Sequence, residues 1–354
     1  MQRDGIFTME KNRMRIDVIA NDGSPLGVST SSIYGDIDHI GVGGAELALL
    51  TLCEGWHDAG HAVRLYNSPL TGVSPFLQCD INTFDPQEDR DVLIAFRSPN
   101  HRINNAKGLI VWWSCDQFTC GSFQEFAPKV DKIVTISPFH AEYFKKTYGI
   151  TDTITIDLPV RLWDYDQRVD KVPHRLIFCS VPNRGLSVLA EVYENIVKAV
   201  PDVSMAITSD YRLWGASSAR NEQHIGSFLG FENVRFLGAI PRMEMVREQL
   251  QAQIQAYPCN YDELFCYSVA ECSVAGAYPI TPAIGALPTT NMGTIVDGDI
   301  LSPQWKVSFT DAVIYNLLDP KLPAKQWVLK QKALARFSLK RILNVWSKRV
   351  FDNG

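Results

Sequence analysis

Two glutamates stand eight positions apart in an otherwise apolar stretch of the chain, “YDELFCYSVAECSVAGAYPITP”. The pattern predicts a helix that begins near Phe265 or Cys266 and ends at Gly276, because glycine commonly caps the end of a helix. Glu263 then lies just before the helix, and Glu271 lies within it. The question is why a segment suited to burial contains two carboxylates.

The spacing of the two acids suits the two ends of one elongated ligand. At about 1.5 Å per residue, eight helical positions span roughly 12 Å, which is of the order of the separation between the sugar and the ribose in a nucleoside-diphosphate sugar. The helix N-terminus between the acids offers N–H groups and a positive dipole end to a pyrophosphate. The alternative is a helix-terminal charge together with a buried glutamate that is paired with an arginine.

An arginine precedes the predicted start of another helix, in “FCSVPNRGLSVLAEVY”. A cation beside a helix N-terminus opposes the helix dipole, and an anion between them removes that conflict. Arg184 is therefore a candidate to neutralise phosphates and to stabilise a leaving diphosphate. The alternative is a surface arginine in a turn.

Two glycines, Gly43 and Gly44, open a further predicted helix in “GVGGAELALL”, where backbone can approach a ligand closely. The pattern is not G-x-G-x-x-G, because Glu46 and Leu47 occupy the later positions. The loop also lies well after the first predicted strand, unlike a dinucleotide-binding turn.

The elements that position these residues alternate along the chain. Strand-like segments such as “RIDVIA”, “DVLIAF” and “GLIVWW” alternate with helical patterns, and a second such series begins at “RLIFCS”. This alternation predicts an α/β fold with two doubly wound parallel sheets, whose ligand lies beyond the carboxyl ends of the strands, in the cleft between two facing domains. The predicted boundaries are a first domain over 1–160, a linker over 161–174, a second domain over 175–325, and C-terminal helices over 326–354 that can cross back to the first domain.

Composition excludes several classes of protein. The net charge of −5 argues against a general nucleic-acid binder. No apolar run approaches the roughly 20 residues that span a bilayer, and the first residues do not form a signal peptide. The eight cysteines show no zinc spacing and predict reduced thiols in a cytoplasmic protein. The basic amphipathic tail favours a packed helix with a solvated face, although peripheral contact with a membrane is compatible with it.

Four blocks of the sequence resemble, in their order, the retaining glycosyltransferases of family four, which have the GT-B fold. The resemblance is closest to bacterial members with a “DRGL”-like segment, and its most specific element is the block with the two glutamates. The blocks are “GVGGAELALL…AGHAVRLYN”, “PNRGLSVLAEVY”, “VRFLGAIPRMEM” and “DELFCYSVAECSVAGAYPITPAIGALPTT”.

The resemblance implies a role for each of these residues. Glu263 matches the glutamate that faces the donor sugar, Glu271 matches the one that binds the ribose, and Arg184 matches a residue that contacts phosphate. The remaining implied contacts are with main chain: the diphosphate at Leu264 and Phe265, the base at Ile240, and phosphate or acceptor at Gly43 and Gly44.

The sequence departs from the family at two places. Cys179 stands where many relatives have a second basic residue, and the loop “VWWSCDQF” lacks the histidine that many relatives place near the sugar. Asp116 in that loop, or His101 in “SPNHRI”, is therefore a candidate for contact with the sugar or the acceptor.

The resulting hypothesis is a glycosyltransferase that moves a hexose from a nucleotide sugar to a hydroxyl with retention of configuration, in which Glu263 and Arg184 are the catalytic residues. The resemblance implies no metal and no cofactor, because the arginine and a helix N-terminus replace the metal. Two alternatives stay open: an NAD-dependent dehydrogenase, and a protein that binds nucleotide sugars but is impaired in transfer.

Overall fold

A computed structural model describes residues 13–20, 28, 30–34, 41–68, 72–214 and 216–352 of the chain. These residues form two compact units. The first unit comprises the described parts of 1–35, 45–159 and 339–354, and the second comprises the described parts of 36–44 and 160–338.

A parallel sheet forms the centre of the first unit, and buried runs such as “VLIAF” are its strands, as expected for a sheet covered on both faces. Its strands are β1 Arg15–Ile19, β2 Ala62–Asn67, β3 Leu77–Asp80, β4 Val92–Phe96, β5 Leu109–Trp113, β6 Lys132–Thr135 and β7 Ile154–Thr155. Within the described residues they are ordered β3-β2-β1-β4-β5-β6-β7, and each pairs parallel to its neighbour.

Aromatic side chains fill one face of this sheet. The Trp112 ring lies edge-on to Phe123 and Phe126, with ring centroids 4.8 and 5.3 Å apart. Such edge-on pairs stabilise a core beyond the area that they bury. The helices of this part of the chain are α1 Ser31–Tyr34, α2 Gly44–Asp58, α3 Phe123–Phe126 and α4 Pro138–Tyr148.

The second unit repeats the architecture. Its strands are β8 Arg175–Phe178, β9 Ser204–Ile207, β10 Val234–Phe236, β11 Ile254–Ala256, β12 Tyr278–Pro282 and β13 Thr294–Val296. Over the part of the chain that the structure describes, they pair in parallel in the order β10-β9-β8-β11-β12-β13. The predicted fold class, two doubly wound α/β domains, is confirmed.

Helices of the second unit include the one that was predicted to follow Glu263 and to contain Glu271. They are α5 Leu186–Ala199, α6 Glu222–Gly226, α7 Arg242–Gln251, α8 Tyr267–Ala275, α9 Leu287–Thr290, α10 Pro303–Leu318 and α11 Leu322–Arg336. The α8 helix begins one residue after Cys266, and it ends against Gly276, whose φ of 70° is the left-handed conformation that glycine adopts easily. Glu263 thus lies before α8 and Glu271 within it, as predicted.

The last helix, α12 Leu339–Trp346, belongs to the first unit. Its Trp346 ring lies edge-on to Trp56 and Trp113, with centroids 5.4 and 5.5 Å apart. Gly55 leaves room for it, because a Cβ atom there would lie 2.9 Å from the Leu339 side chain. The end of the basic C-terminal segment therefore packs into the first unit through aromatic side chains.

The segment 161–174 differs from the linker that was predicted there. It lies within the second unit and contains a 3-10 helix, Leu162–Tyr165, with Asp164 and Tyr165 buried. Its polar residues suggested a solvated connection, but Asp164 accepts a hydrogen bond from Arg242 Nε at 2.9 Å. One of the polar residues of the segment, Asp164, therefore belongs to a buried ion pair with Arg242.

Candidate functional site

The turn after β8 fixes Arg184 against the loop that precedes α8. The Arg184 N–H donates to Val181 O at 3.0 Å, and Gly185 follows with a φ of 98° at the start of α5. A Cβ atom at Gly185 would lie 1.9 Å from Pro258 O, so only glycine fits this close approach. The Arg184 guanidinium stacks on Tyr261, 3.2 Å from the ring centroid.

Glu263 lies beside Arg184, although 78 residues separate them in sequence. Its Oε1 atom accepts a hydrogen bond from the Tyr257 hydroxyl at 2.8 Å, and Arg184 Nε lies 3.7 Å from the same oxygen. The Glu263 side chain is 18% exposed. Burial raises the pKa of this carboxyl, while Arg184 and the Tyr257 hydrogen bond oppose the rise. These two partners therefore favour the charged form of the carboxyl against the effect of burial.

The backbone of Glu263 is held by the loop after β12. Its carbonyl accepts from Ala286 N at 2.7 Å, and its N–H donates to Tyr261 O at 2.8 Å. Gly285 has a φ of 57°, and a Cβ atom there would lie 2.6 Å from both Glu263 N and Glu263 O. A side chain at residue 285 would therefore displace Glu263.

The start of α8 lies directly after Glu263. Within the described part of the chain, no oxygen accepts a hydrogen bond from the N–H groups of Leu264, Phe265 or Cys266. The side chains of these three residues are buried, and Cys266 adopts a φ of 68°. Because these side chains are buried and Cys266 has a left-handed conformation, the groups that this segment can offer to a ligand are its backbone N–H groups. These N–H groups, at the positive end of the helix dipole, suit an anion.

Glu271 has a different environment at the other end of the stretch. Arg242 Nη1 donates to its Oε1 atom, and Gln249 Nε2 donates to its Oε2 atom at 3.3 Å. Arg242 also binds Asp164, and the Tyr165 hydroxyl donates to Gln249 Oε1 at 2.6 Å. Glu271 therefore has the environment of the alternative named from the sequence, a buried glutamate paired with an arginine.

The glycine loop and the predicted base contact come together in the second unit, to which residues 41–44 belong. The Gly41 N–H donates to Ile240 O at 3.2 Å. A Cβ atom at Gly44 would lie 2.5 Å from the Cβ atom of Tyr267, the first residue of α8. The loop with Gly43 and Gly44 therefore lies beside the start of α8, the helix that follows Glu263 and contains Glu271.

Asp210 was not predicted from the sequence, although it contacts the main chain beside the predicted base contact at Ile240. It is buried after β9 and accepts hydrogen bonds from Arg212 Nε at 2.7 Å, Asn221 Nδ2 at 3.0 Å and Ala239 N at 3.2 Å. Burial opposes its ionisation, but these donors lower the pKa of Asp210 to about 2. It fixes the main chain next to Ile240. An aspartate directly beyond a buried strand, in “SMAITSD”, was the available signal.

Asp116 belongs to an ion-pair cluster of the first unit. Arg97 donates to both of its oxygens, from Nε at 2.8 Å and from Nη2 at 3.0 Å, and Arg97 Nη1 also donates to Glu46. Arg97 follows β4 with a φ of 63°, an uncommon conformation for a long side chain. Its carbonyl accepts from Trp112 Nε1 at 2.8 Å, which holds that conformation.

His101 is not part of this cluster. It is exposed at the start of a 3-10 helix, His101–Ile103, and no contact joins it to Asp116 among the residues that the structure describes. The first unit does contain a buried histidine, His140 on α4, which packs near the Asp116 backbone. Burial lowers the pKa of His140 to about 3. Of these two candidates, Asp116 is thus the one with a charged partner in the structure.

The described residues contain no group of three or more His, Cys, Asp or Glu side chains placed to hold a metal ion. They also contain no helix that is both long enough and apolar enough to cross a membrane.

Two parallel-sheet units with these strand orders define the chain as a protein of GT-B fold. No protein-family model and no curated protein matches the chain. Among solved structures, it is similar to sucrose-phosphate synthase from Thermosynechococcus elongatus, with 16% identity, 95% of this chain and 98% of that chain covered, and a TM-score of 0.68.

Two other similar structures extend this comparison. A glycosyltransferase from Rickettsia africae ESF-5 is 15% identical, with 97% of this chain and 100% of that chain covered and a TM-score of 0.66. HepE from Anabaena, solved in complex with UDP and glucose, is 13% identical, with 95% and 99% covered and a TM-score of 0.66. At such identities the similarity establishes the shared fold over nearly the whole chain.

Proposed function

We propose that the chain is a retaining glycosyltransferase of family four, which moves a hexose from a nucleoside-diphosphate sugar to an acceptor hydroxyl. The observation that carries the proposal is the meeting of Arg184 and Glu263 at the start of α8 in the second unit. A cation, a carboxylate and helix N–H groups are the partners that an activated sugar needs at its phosphates and hydroxyls.

The diphosphate binds, in this proposal, to the N–H groups of Leu264 and Phe265 and to the guanidinium of Arg184. Stacking on Tyr261 holds the guanidinium plane, so less conformational freedom is lost when phosphate binds. These positive groups stabilise the charge that develops on the leaving phosphate, which is the largest contribution that a preorganised site makes.

The sugar hydroxyls bind to Glu263. Its Oε1 atom is held by Tyr257, and no described donor reaches its Oε2 atom, which is therefore available to a hydroxyl of the sugar. Gly285 and Ala286 fix the backbone behind it. This arrangement supports a carboxylate that is positioned before the donor binds.

The nucleoside binds toward Glu271, Ile240 and the glycine loop. For Glu271 we propose a ribose contact through Oε2, whose hydrogen bond from Gln249 is long at 3.3 Å and can be shared. The base meets main-chain atoms at Ile240, which Asp210 steadies through the neighbouring Ala239 N–H. Gly43 and Gly44 offer backbone beside Tyr267.

The reaction that we propose is a displacement on one face of the sugar. The acceptor oxygen forms a bond to the anomeric carbon as the bond from that carbon to the β-phosphate oxygen breaks. The departing phosphate oxygen takes the acceptor proton, so the products are a glycoside and a nucleoside diphosphate. Arg184 and the α8 N-terminus supply the positive charge that supports a metal-independent step.

The acceptor side of the proposal rests on the first unit. Asp116, held by Arg97 in a bidentate pair beyond the ends of β4 and β5, is a rigid hydrogen-bonding group at the edge where ligands of parallel sheets bind. We propose that it orients a hydroxyl of the sugar or the acceptor, while His101 remains the weaker candidate. Eight unpaired thiols support a cytoplasmic location.

A ligand panel tests the proposed function. HepE was captured with UDP and glucose, so UDP-sugars are the first donors, followed by GDP- and ADP-sugars and by NADH. A ligand that binds only the folded state raises its stability by RT ln(1 + [L]/Kd). We expect one nucleotide-sugar class to raise the Tm and to be consumed. Binding without consumption would indicate the transfer-impaired alternative, and a response to NADH alone would indicate the dehydrogenase.

A further inference from the structure

The Tyr257 hydroxyl forms a hydrogen bond with the Glu263 carboxylate. Tyr257 follows β11 directly and is fully buried, and its hydroxyl donates to Glu263 Oε1 at 2.8 Å and lies 3.2 Å from Ser180 Oγ. The ring packs against Phe178, with centroids 5.7 Å apart, in the core of the second unit. The hydroxyl therefore has a fixed position before any ligand binds.

The two oxygens of Glu263 are unequal because of this hydrogen bond. Tyr257 and Arg184 both lie at Oε1, while Oε2 has no donor among the residues that the structure describes. A carboxylate that is anchored through one oxygen presents the other in a defined direction. Without the anchor, rotation of the side chain would exchange the two oxygens.

We propose that Tyr257 is a positioning residue, whose hydroxyl anchors Glu263 Oε1 so that the charged Oε2 atom faces the donor sugar. The inference rests on the proposed function for its ligand, but the coupling between the two residues belongs to the protein alone. Tyr257 lies outside the pattern of the two glutamates, and nothing in that pattern requires a tyrosine at this position.

The charge balance around Glu263 makes Tyr257 important. Among the described residues, Arg184 is the only cation that faces Glu263. The Cys259 thiol, at 4.0 Å, and the Cys266 thiol also face it. Both thiols remain protonated, because burial raises their pKa. Loss of the Tyr257 hydroxyl would thus leave Arg184 alone to oppose burial, and the pKa of Glu263 would rise further.

The test compares Tyr257→Phe with Tyr193→Phe. Tyr193 is an equally buried tyrosine of the same unit, and its hydroxyl has no partner within the described residues, so its removal is a matched control. One readout is the pKa of Glu263 in the ligand-free protein, from a ¹³C-glutamate NMR titration assigned with Glu263→Gln. The other is UDP-glucose turnover as a function of pH.

We expect Tyr257→Phe to raise the pKa of Glu263, to move the acidic limb of the turnover profile to higher pH, and to lower turnover by about 10- to 100-fold, as for lost hydrogen bonds to charged groups. Tyr193→Phe should change none of these. An unchanged pKa of Glu263 in Tyr257→Phe would overturn the inference, whatever the donor. A raised pKa in a protein whose wild type consumes no nucleotide sugar would leave the coupling in place and remove the proposed function.

Discussion

Glu263 and Glu271 differ in burial and in hydrogen bonding, although they lie only eight positions apart in the sequence. The Glu263 side chain is 18% exposed and anchored at one oxygen, and its ion pair with Arg184 is long at 3.7 Å. The Glu271 side chain is 8% exposed, and both of its oxygens accept hydrogen bonds from Arg242 and Gln249. A residue type and a spacing therefore do not by themselves distinguish a ligand site from a structural ion pair.

The difference lies in the hydrogen-bonding capacity that the fold leaves unused. Glu271 and Arg242 join α7 and α8 to the 161–174 segment, so their interactions stabilise the fold of the second unit. Glu263 accepts a hydrogen bond from Tyr257 at Oε1 and has a long ion pair with Arg184, so its carboxylate retains capacity to accept a hydrogen bond from a ligand. We expect substitutions at the Glu263 end to impair transfer and substitutions at the Glu271 end to impair stability.

The largest expected effect on turnover is that of Glu263→Gln. The amide keeps the size of the side chain but removes the charge, and we expect donor turnover to fall by about 10³-fold, the upper range for a preorganised electrostatic group. Because burial raises the pKa of Glu263, its stabilising protonated form is lost as the pH rises through that pKa. The Tm of Glu263→Gln at pH 7 should therefore equal or exceed that of the wild type.

The control for this substitution is Glu191→Gln on α5. Glu191 is an exposed glutamate that pairs with Lys306, so its loss should leave turnover and Tm unchanged. Full turnover in Glu263→Gln would remove Glu263 from the mechanism and would make the two ends of the stretch equivalent.

Arg184→Ala should have the next largest effect. Loss of the guanidinium removes the cation that stabilises the leaving diphosphate, and we expect kcat/KM for the donor to fall by about 10²-fold. Arg184→Lys should recover only part of this, since an ammonium group neither stacks as a plane on Tyr261 nor binds phosphate bidentately. Arg235→Ala, at an arginine that is 50% exposed, is the control. Equal loss in both alanine variants would indicate a general effect of charge instead.

The smallest effect on turnover is expected for Glu271→Gln. This change leaves Asp164 as the one acidic partner of Arg242 among the described residues, and we expect it to lower the free energy of unfolding by about 2–4 kcal/mol. Turnover measured well below the new Tm should stay within about tenfold of the wild type. The proposed ribose contact further predicts that the variant binds UDP in preference to dUDP less strongly than the wild type does. Stability equal to the wild type would contradict the structural role of Glu271.

Much of the architecture could be predicted from the sequence. Buried strand runs such as Val92–Phe96, alternating with amphipathic helices, indicated two parallel sheets, and Gly276 indicated the end of α8. These features depend on local composition and periodicity, which a single sequence contains. The resemblance then brought Arg184 and Glu263 into one hypothesis.

The partners of the site residues could not be predicted in the same way. Arg242 meets Asp164 from 78 positions away, and Asp210 meets Ala239 from 29 positions away. Such pairs depend on which loops the sheet order brings together and on side-chain direction, neither of which periodicity reports. For the same reason the 161–174 segment was predicted as a linker, and the Tyr257 contact with Glu263 was not predicted.

A crystal structure of the protein soaked with UDP-glucose, or with the donor selected by the ligand panel, tests the central claim most directly. We expect the diphosphate within hydrogen-bond distance of the Leu264 and Phe265 N–H groups and of Arg184, with a sugar hydroxyl on Glu263 Oε2. A donor bound elsewhere, or a bound donor with Glu263 turned away from its sugar, would contradict the account.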